Sequence, residues 1–350
     1  MHSAVSPEGQ TPPTRRAHYA ARLEDRFHRF RERRARRRGL VPTIIPFVGY
    51  GGDGWTRVLA RVILQKPDRR APERSRGIRG WRSFTSVHVA HATIQVEAGG
   101  AMHAVTADRG GLVDVRLEVD LVPGWQSLLL SIEGADAVEM PVFIVDAAVT
   151  FGIVSDIDDT VLVTALPRPF VAAWNTFVLN EHARRPVPGM SVLYDRLVSS
   201  HPGSPIVYVS TGAWNTLLTL NRFLTRHLYP RGPLLLTDWG PTIDGWFRSG
   251  AEHKKSNLRR LVAEFPHVKW LLVGDDGQHD EQRYAELVKD HPESVAAVAI
   301  RQLTKSEAVF AGGRSGHDED EGAVPWVWGS DGAELAEKLT AIGVLEAPRA

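Results

Sequence analysis

One stretch constrains this chain more than any other. Residues Val149 to Ser155 form an apolar, strand-like run, and Asp156-Ile157-Asp158-Asp159-Thr160 comes directly after it. Carboxylates gathered at the C-terminal end of a strand are costly unless a cation or a reacting group balances them. In an extended start to such a loop, Asp156 and Asp158 point the same way, because side chains alternate with period two. Two same-side carboxylates at the mouth of a parallel sheet suit metal-assisted phosphoryl transfer, one attacking phosphorus and the other handling protons. The competing readings are a solvated turn, a helix cap and a calcium loop. A calcium loop of the EF-hand type needs a central Gly and a distal Glu, and neither is present here.

The chain of 350 residues is long enough for two domains. It contains no Cys, which excludes disulfides, thiol catalysis and cysteine-bound zinc. Its formal net charge of +1 selects no partner class. No run is long and apolar enough to span a bilayer, and Met1 to Pro7 lacks the pattern of a secretory signal. A cytoplasmic protein is the expectation.

Three regions are expected. Residues 1–39 comprise a disordered start and a basic helix from about residue 15. In that helix Tyr19, Leu23, Phe27 and Phe30 form an apolar stripe among many arginines. Such a helix fits peripheral contact with an anionic membrane through residues 15–39, or packing onto the protein itself. No aromatic or Gly-rich pattern accompanies it, so no nucleic-acid partner is expected. Residues 40–145 read as an all-β, sandwich-like domain of short strands, among them runs 58–64, 92–96 and 113–119. Residues 146–350 alternate strands and helices, which predicts an α/β unit with a parallel sheet and helices on both faces. Ligands bind such sheets beyond the strand C-termini.

The residues just after each strand are therefore informative. One strand ends in Ser210-Thr211-Gly212, with Trp214 just beyond. Hydroxyls and backbone N–H groups there suit phosphate oxygens, although the same residues make ordinary turns. His253-Lys254-Lys255 precedes a helix expected near Lys255. Another strand ends in Gly274-Asp275-Asp276-Gly277-Gln278-His279-Asp280, an oxygen-rich run suited to Mg²⁺. His253 and His279 are expected at the edge, because Mg²⁺ prefers oxygen. The acidic run Asp318 to Glu321 reads as a solvated loop.

Acid pair, hydroxyl, lysine and acid cluster, in that order, are the four motifs of the haloacid dehalogenase (HAD) superfamily, which the chain resembles from about residue 148 to 345. Asp156 to Val161, Arg185-Pro186-Val187-Pro188-Gly189-Met190 and Gly274 to Asp280 narrow the likeness. They resemble the actin-patch-protein phosphatidate phosphatases and their bacterial relatives. Asp276 departs from that pattern, which usually has a small hydroxyl residue there. The resemblance implies a HAD-like doubly wound parallel sheet preceded by the all-β domain and the basic helix.

It also implies a Mg²⁺-dependent phosphatase working through an aspartyl-phosphate. Asp156 would be the nucleophile and Asp158 the acid/base, while Ser210 and Lys254 (or Lys255) would hold the phosphoryl group. Asp156, the backbone carbonyl of Asp158, and Asp275 would hold the metal, with Asp280 through water or behind the ligands. Thr160, Thr211, Gly212 and Trp214 would line the substrate, and Trp214 reads equally as a core aromatic at a helix start. The substrate expected is phosphatidate. The alternatives are a soluble sugar, nucleotide or nucleic-acid phosphate, or a non-catalytic metal-binding module. Residues 161–189, with Phe170, Trp174 and Phe177, read as an insertion of the kind that hosts a cap.

Overall fold

The computed structural model describes residue 26 and residues 29–67, 87–163, 185–237, 248–277, 280–304, 307 and 322–347. Tyr19, Leu23, Phe27, the insertion residues Phe170, Trp174 and Phe177, His279 and the acidic run 318–321 lie outside these. Residues 29–37 are helical (α1), as the basic segment predicts. Within it Phe30 is exposed, while Ala35 is buried.

The N-terminal sheet contains β1 (Val41–Pro46), β2 (Gly49–Gly52), β3 (Trp55–Gln65), β4 (Val87–His88) and β5 (Thr93–Ala98), then β6 (Ala101–Thr106), β7 (Leu112–Glu118), β8 (Gly124–Ser131) and β9 (Val138–Ile144). All nine belong to one sheet. The long β3 is its hub, with β1 and β2 along one edge and β4 and β7 along the other. β2 continues into β9 through a parallel pair, and β8, β5 and β6 pair on antiparallel. Strict alternation in β5 sends Ile94, Val96 and Ala98 inward and Thr93, Gln95 and Glu97 outward. The inward set meets Val58, Ala60 and Val62 of β3 and Leu128, Leu130, Met140 and Val142 of β8 and β9 in one core. The nine strands expected as a sandwich-like domain are joined in one hydrogen-bonded sheet around that core.

The second sheet is entirely parallel. It is built from β10 (Phe151–Asp156), β13 (Ile206–Ala213), β14 (Leu234–Thr237), β15 (Lys269–Asp275), β16 (Val295–Arg301) and β17 (Trp326–Gly329), in the order β14-β13-β10-β15-β16-β17. Its inner strands are almost continuously buried, the pattern of a parallel sheet covered on both faces. Helices α2 (Met190–Ser200), α3 (Leu217–Arg226), α4 (Arg248–Glu264), α5 (Asp280–Asp290) and α6 (Gly332–Ala341) connect or flank the strands. α2 packs with α6, and α4 packs with α5. The short pair β11 (Leu162–Val163) and β12 (Arg185–Pro186) closes the base of the insertion by antiparallel pairing. No helix among the described residues is long and apolar enough to cross a membrane.

Three local expectations change. α4 begins at Arg248, so Lys254 lies inside a helix and not ahead of one. β13 runs on through Ser210-Thr211-Gly212 to Ala213. β17 and α6 have no counterpart among the elements expected from sequence. Yet α6 carries a legible start signal, because Asp331 Oδ1 accepts from the N–H groups of Ala333 and Glu334 at 2.9 and 3.0 Å.

Beside that first core, a few residues of the N-terminal half join the core of the parallel sheet. Phe47, Tyr50, Trp55 and Leu59 belong to the same buried cluster as the second sheet and its helices. Trp55 and Tyr50 pack on Phe265 at 5.3 and 6.1 Å, and Phe265 packs on Trp270 at 5.9 Å. Phe47 stacks on Trp214 at 4.5 Å.

Candidate active site

The strand order reverses at β10. The chain steps from β10 to β13 and β14, then returns to place β15 on the other side of β10. A reversal of this kind opens a crevice beyond the strand C-termini, and Asp156 stands there as the last residue of β10. The loop after it is tight. The N–H groups of Val161 and Leu162 both donate to the carbonyl of Ile157, at 2.9 and 3.1 Å, and the N–H of Asp159 donates to the carbonyl of Leu162 at 2.8 Å. Asp159 sits at φ 61°, a left-handed conformation that Asp tolerates better than most residues. Its carbonyl accepts from Arg301 Nη1 at 2.7 Å, and Arg301 Nη2 is held by Glu307 at 2.9 Å.

This reversal brings Asp158 to β13. Ser210 Oγ donates to Asp158 Oδ2 at 2.9 Å and accepts from the N–H of Gly212 at 2.9 Å. Asp156 meets Lys254 of α4, whose Nζ lies 2.6 Å from Asp156 Oδ1 and 2.6 Å from Asp280 Oδ1. Lys255 points elsewhere and pairs with Glu286 at 2.7 Å. Burial by itself lowers a lysine's pKa. Here Asp156 and Asp280 outweigh burial and hold Lys254 above its ordinary range.

Asp275 ends β15, and its Oδ1 accepts from the N–H of Gly277 at 2.7 Å. Asp280 opens α5, where a carboxylate also suits the helix dipole. The close seating of α5 requires Gly274. A Cβ there would come within 2.7 Å of Tyr284 Cε2 and 2.9 Å of Asp280 Cβ. Arg283, one turn along α5, donates to Asp280 Oδ1 at 3.0 Å.

Asp156, Asp275 and Asp280 are all buried, and one oxygen from each lies within 4.8 Å of the others. Their Oδ2 atoms are buried without a hydrogen-bond partner among the described residues. Burial first, then the neighbouring carboxylates, pushes Asp156 and Asp275 well above the usual carboxylate range. Two unit charges 4 Å apart repel by about 4 kcal/mol at an effective dielectric of 20. A cluster with three unanswered oxygens fits a divalent cation with oxygen ligands. Asp280, expected from sequence through water or behind the ligands, has an oxygen within 4.8 Å of those of Asp156 and Asp275.

The remaining candidates divide. Thr160 is buried, and its Oγ1 has no hydrogen-bond partner among the described residues. The backbone carbonyls of Thr211 and Gly212 accept from Thr237 Oγ1 at 2.9 and 3.0 Å, which fixes the end of β13. Trp214 is expected from sequence among the substrate contacts, but its ring is buried and covered by Phe47, so it joins the two sheets. Asp276 turns away from the cluster, where its Oδ1 accepts from the N–H of Leu303 at 2.9 Å. That bond occupies the acid at the position where the sequence departs from the family pattern. His253 bonds Asn257 at 2.7 Å, and burial followed by Arg260 lowers its pKa to about 4. Sequence reasoning missed Arg283 and Arg301. Arg283 sits at i+3 from Asp280, a spacing that marks a helical neighbour; Arg301 gave no local signal. An open crevice of about 960 Å³ lies where Phe47 and Pro141 meet Val192, Tyr229 and Arg231, and none of the clustered acids lines it.

The site falls within a recognised unit. Residues 151–302 match the family described as phosphatidate phosphatase APP1, catalytic domain. The chain is 26% identical over 209 residues to phosphatidate phosphatase APP1 of Saccharomyces cerevisiae, covering 57% of this chain and 35% of that protein. It is 27% identical over 152 residues to an uncharacterized protein of Schizosaccharomyces pombe, covering 43% of this chain and 25% of that one. The chain therefore spans about a third or less of the curated relatives it matches. Among solved structures, a carbohydrate acetylesterase from Xanthomonas citri aligns over 78% of this chain and 73% of its own, at 12% identity and a TM-score of 0.28.

Proposed function

We propose that this chain is a Mg²⁺-dependent phosphoric monoester hydrolase acting on phosphatidate or a closely related lipid phosphate. The carrying observation is the convergence of Asp156, Asp158, Ser210, Lys254, Asp275 and Asp280 at one end of the parallel sheet, within a segment of the APP1 catalytic-domain family. On this reading residues 146–350 are a HAD-like phosphatase domain with a doubly wound sheet, and residues 40–145 are a separate all-β domain.

Asp156, Asp275 and Asp280 would hold the cation, which when bound supplies positive charge against the repulsion between carboxylate and phosphate. The protein's own groups supply the rest. Asp156 attacks phosphorus through a carboxylate oxygen, the ester P–O bond breaks, and the departing alkoxide takes a proton from Asp158. Asp158 then removes a proton from water, water oxygen bonds to phosphorus, and the bond from phosphorus to Asp156 breaks to release phosphate. Ser210 orients Asp158 through its 2.9 Å bond. Lys254 opposes the upward push on Asp156 and stands ready for the phosphoryl oxygens.

The test is phosphate release from phosphatidate in mixed micelles and from a soluble aryl phosphate, with Mg²⁺ or with a chelator. Turnover with Mg²⁺ that is lost in Asp156→Asn supports the assignment. Equal release by wild type and Asp156→Asn sinks it. Preference for the soluble ester leaves the enzyme class and removes the lipid.

A further inference from the structure

α4 presents two adjacent stripes. Lys254, Leu258 and Leu261, with Phe265 just past the helix end, recur at helical spacing and are buried toward the core of the parallel sheet. His253, Asn257, Arg260 and Glu264 recur one position earlier; Arg260 and Glu264 reach the N-terminal sheet, and His253 meets the backbone of Leu235 in β14. That second stripe is gripped at several points. Arg57 of β3 donates through Nε to Glu264 Oε1 at 3.1 Å and also binds it through Nη2. Tyr50 of β2 donates to Glu264 Oε2 at 2.9 Å. Asp114 of β7 bridges two arginines, Arg57 at 2.6 Å through one oxygen and Arg260 at 2.6 Å through the other. Arg260 passes the chain on to Asn257 Oδ1 at 2.6 Å, and Asn257 reaches His253 at 2.7 Å. His253 adjoins Lys254.

Such a network is expensive to build if stability alone is its purpose. Arg57 and Glu264 are mostly removed from solvent, with side chains 12% and 8% exposed. Paired charges at such depth contribute little net stability over apolar substitutes, but they specify one geometry. The geometry specified here is the rotation and depth of the helix that carries Lys254. Lys254 must meet two carboxylates at once, and a small rotation of α4 would lose one of them.

We propose that Arg57 and Asp114 of the N-terminal sheet are positioning residues for the phosphatase site: by gripping Arg260 and Glu264 they set α4, and α4 holds Lys254 between Asp156 and Asp280. The N-terminal sheet is then a working part of the active site, although it contributes no group to the acid cluster. The kinetic consequence rests on the phosphatase reading above, and the geometric one does not.

Two measurements on the full chain test this. In the first, Asp114→Asn lowers kcat for a soluble aryl phosphate about tenfold with little change in KM. Asp114→Glu, which keeps the carboxylate, recovers most of that loss. The same Asp114→Asn change made in a Lys254→Met background costs less than about twofold, because the group being positioned is gone. An equal proportional loss in both backgrounds overturns the proposal. In the second, amide hydrogen exchange across residues 248–264 rises in Asp114→Asn and stays unchanged across Val295–Arg301. Unchanged exchange along α4 overturns it too. If Asp114→Asn does not fold, Arg57→Lys is measured in its place, with the same two outcomes. If wild type releases no phosphate from any ester, the functional assignment fails, and the exchange experiment still decides whether the sheet holds the helix.

Discussion

The two sheets differ most in what they bury. Among the described residues of the N-terminal sheet, Thr56 is the only buried side chain of the polar or charged kind besides the tyrosine ring of Tyr50. Around the parallel sheet, Asp156, Asp158, Asp159, Asp275, Asp276, Asp280, Lys254 and Arg301 are all buried. An apolar core gains stability from every methylene it hides. Buried carboxylates oppose folding unless something balances them. One sheet is built for stability, and the other places charge where a reaction can use it. The ionic contacts from β3 and β7 to α4 are where the first supports the second.

Predictions that would break or sharpen this contrast start with the nucleophile. Asp156→Asn should cost at least about a thousandfold in kcat, because nucleophile removal disables the whole set. Its melting temperature should not fall by a matching amount, since an amide needs less compensation when buried than a carboxylate. A steady-state assay beside a thermal melt would show it, and substantial remaining turnover would erase the distinction between the sheets.

Leu130→Ala should do the opposite. Leu130 is fully buried in the N-terminal core, so its truncation should cost about 3 kcal/mol of stability. kcat well below the melting transition should stay close to wild type. Denaturant titration and kinetics on one preparation would test this. A collapse of kcat in a folded variant would mean that the core of the first sheet shapes the site directly.

Lys254→Met should lower kcat about a hundredfold by removing a charge preorganised for the transition state. It also leaves Asp156 without its cation and Asp280 with Arg283 alone, so Mg²⁺ should raise the melting temperature of this variant more than that of wild type. An equal Mg²⁺ shift in both proteins, read by differential scanning fluorimetry, would count against a shared cation site.

The smallest effect should be that of Asp275→Asn on cation binding. Loss of one ligand charge should weaken Mg²⁺ affinity about tenfold or more, measured by calorimetry. Saturating Mg²⁺ should then stabilise the variant less than wild type at equal concentration, as mass action requires. Unchanged affinity would remove Asp275 from the cluster's proposed role.

Much of the site was legible because its residues come right after apolar strands. Asp156 and Asp158 lie just beyond one such run, and Asp275 just beyond another. A strand ending in carboxylates in an alternating strand–helix sequence can place them in only one region of a parallel sheet. Helix phase was harder. Lys254 and Lys255 are neighbours in sequence, yet one is buried between two acids and the other pairs on the surface with Glu286. A step of about 100° around the helix separates them, and packing alone decides which direction faces inward. Trp214 was ambiguous for a similar reason, because only the position of Phe47 shows which surface covers the ring.

The amino-acid order alone determined that a parallel α/β unit comes after an all-β one, and that acids, a hydroxyl and a lysine stand at its strand ends. Periodicity and strand-end position are local properties, so they survive in a one-dimensional record. Tertiary structure decided that Asp280 joins Asp156 and Asp275 in one buried cluster. It also decided that Arg57 and Asp114, distant in sequence from α4, hold the helix that presents Lys254. Those contacts arise where two separately formed surfaces meet, and no local pattern records the angle at which they do so.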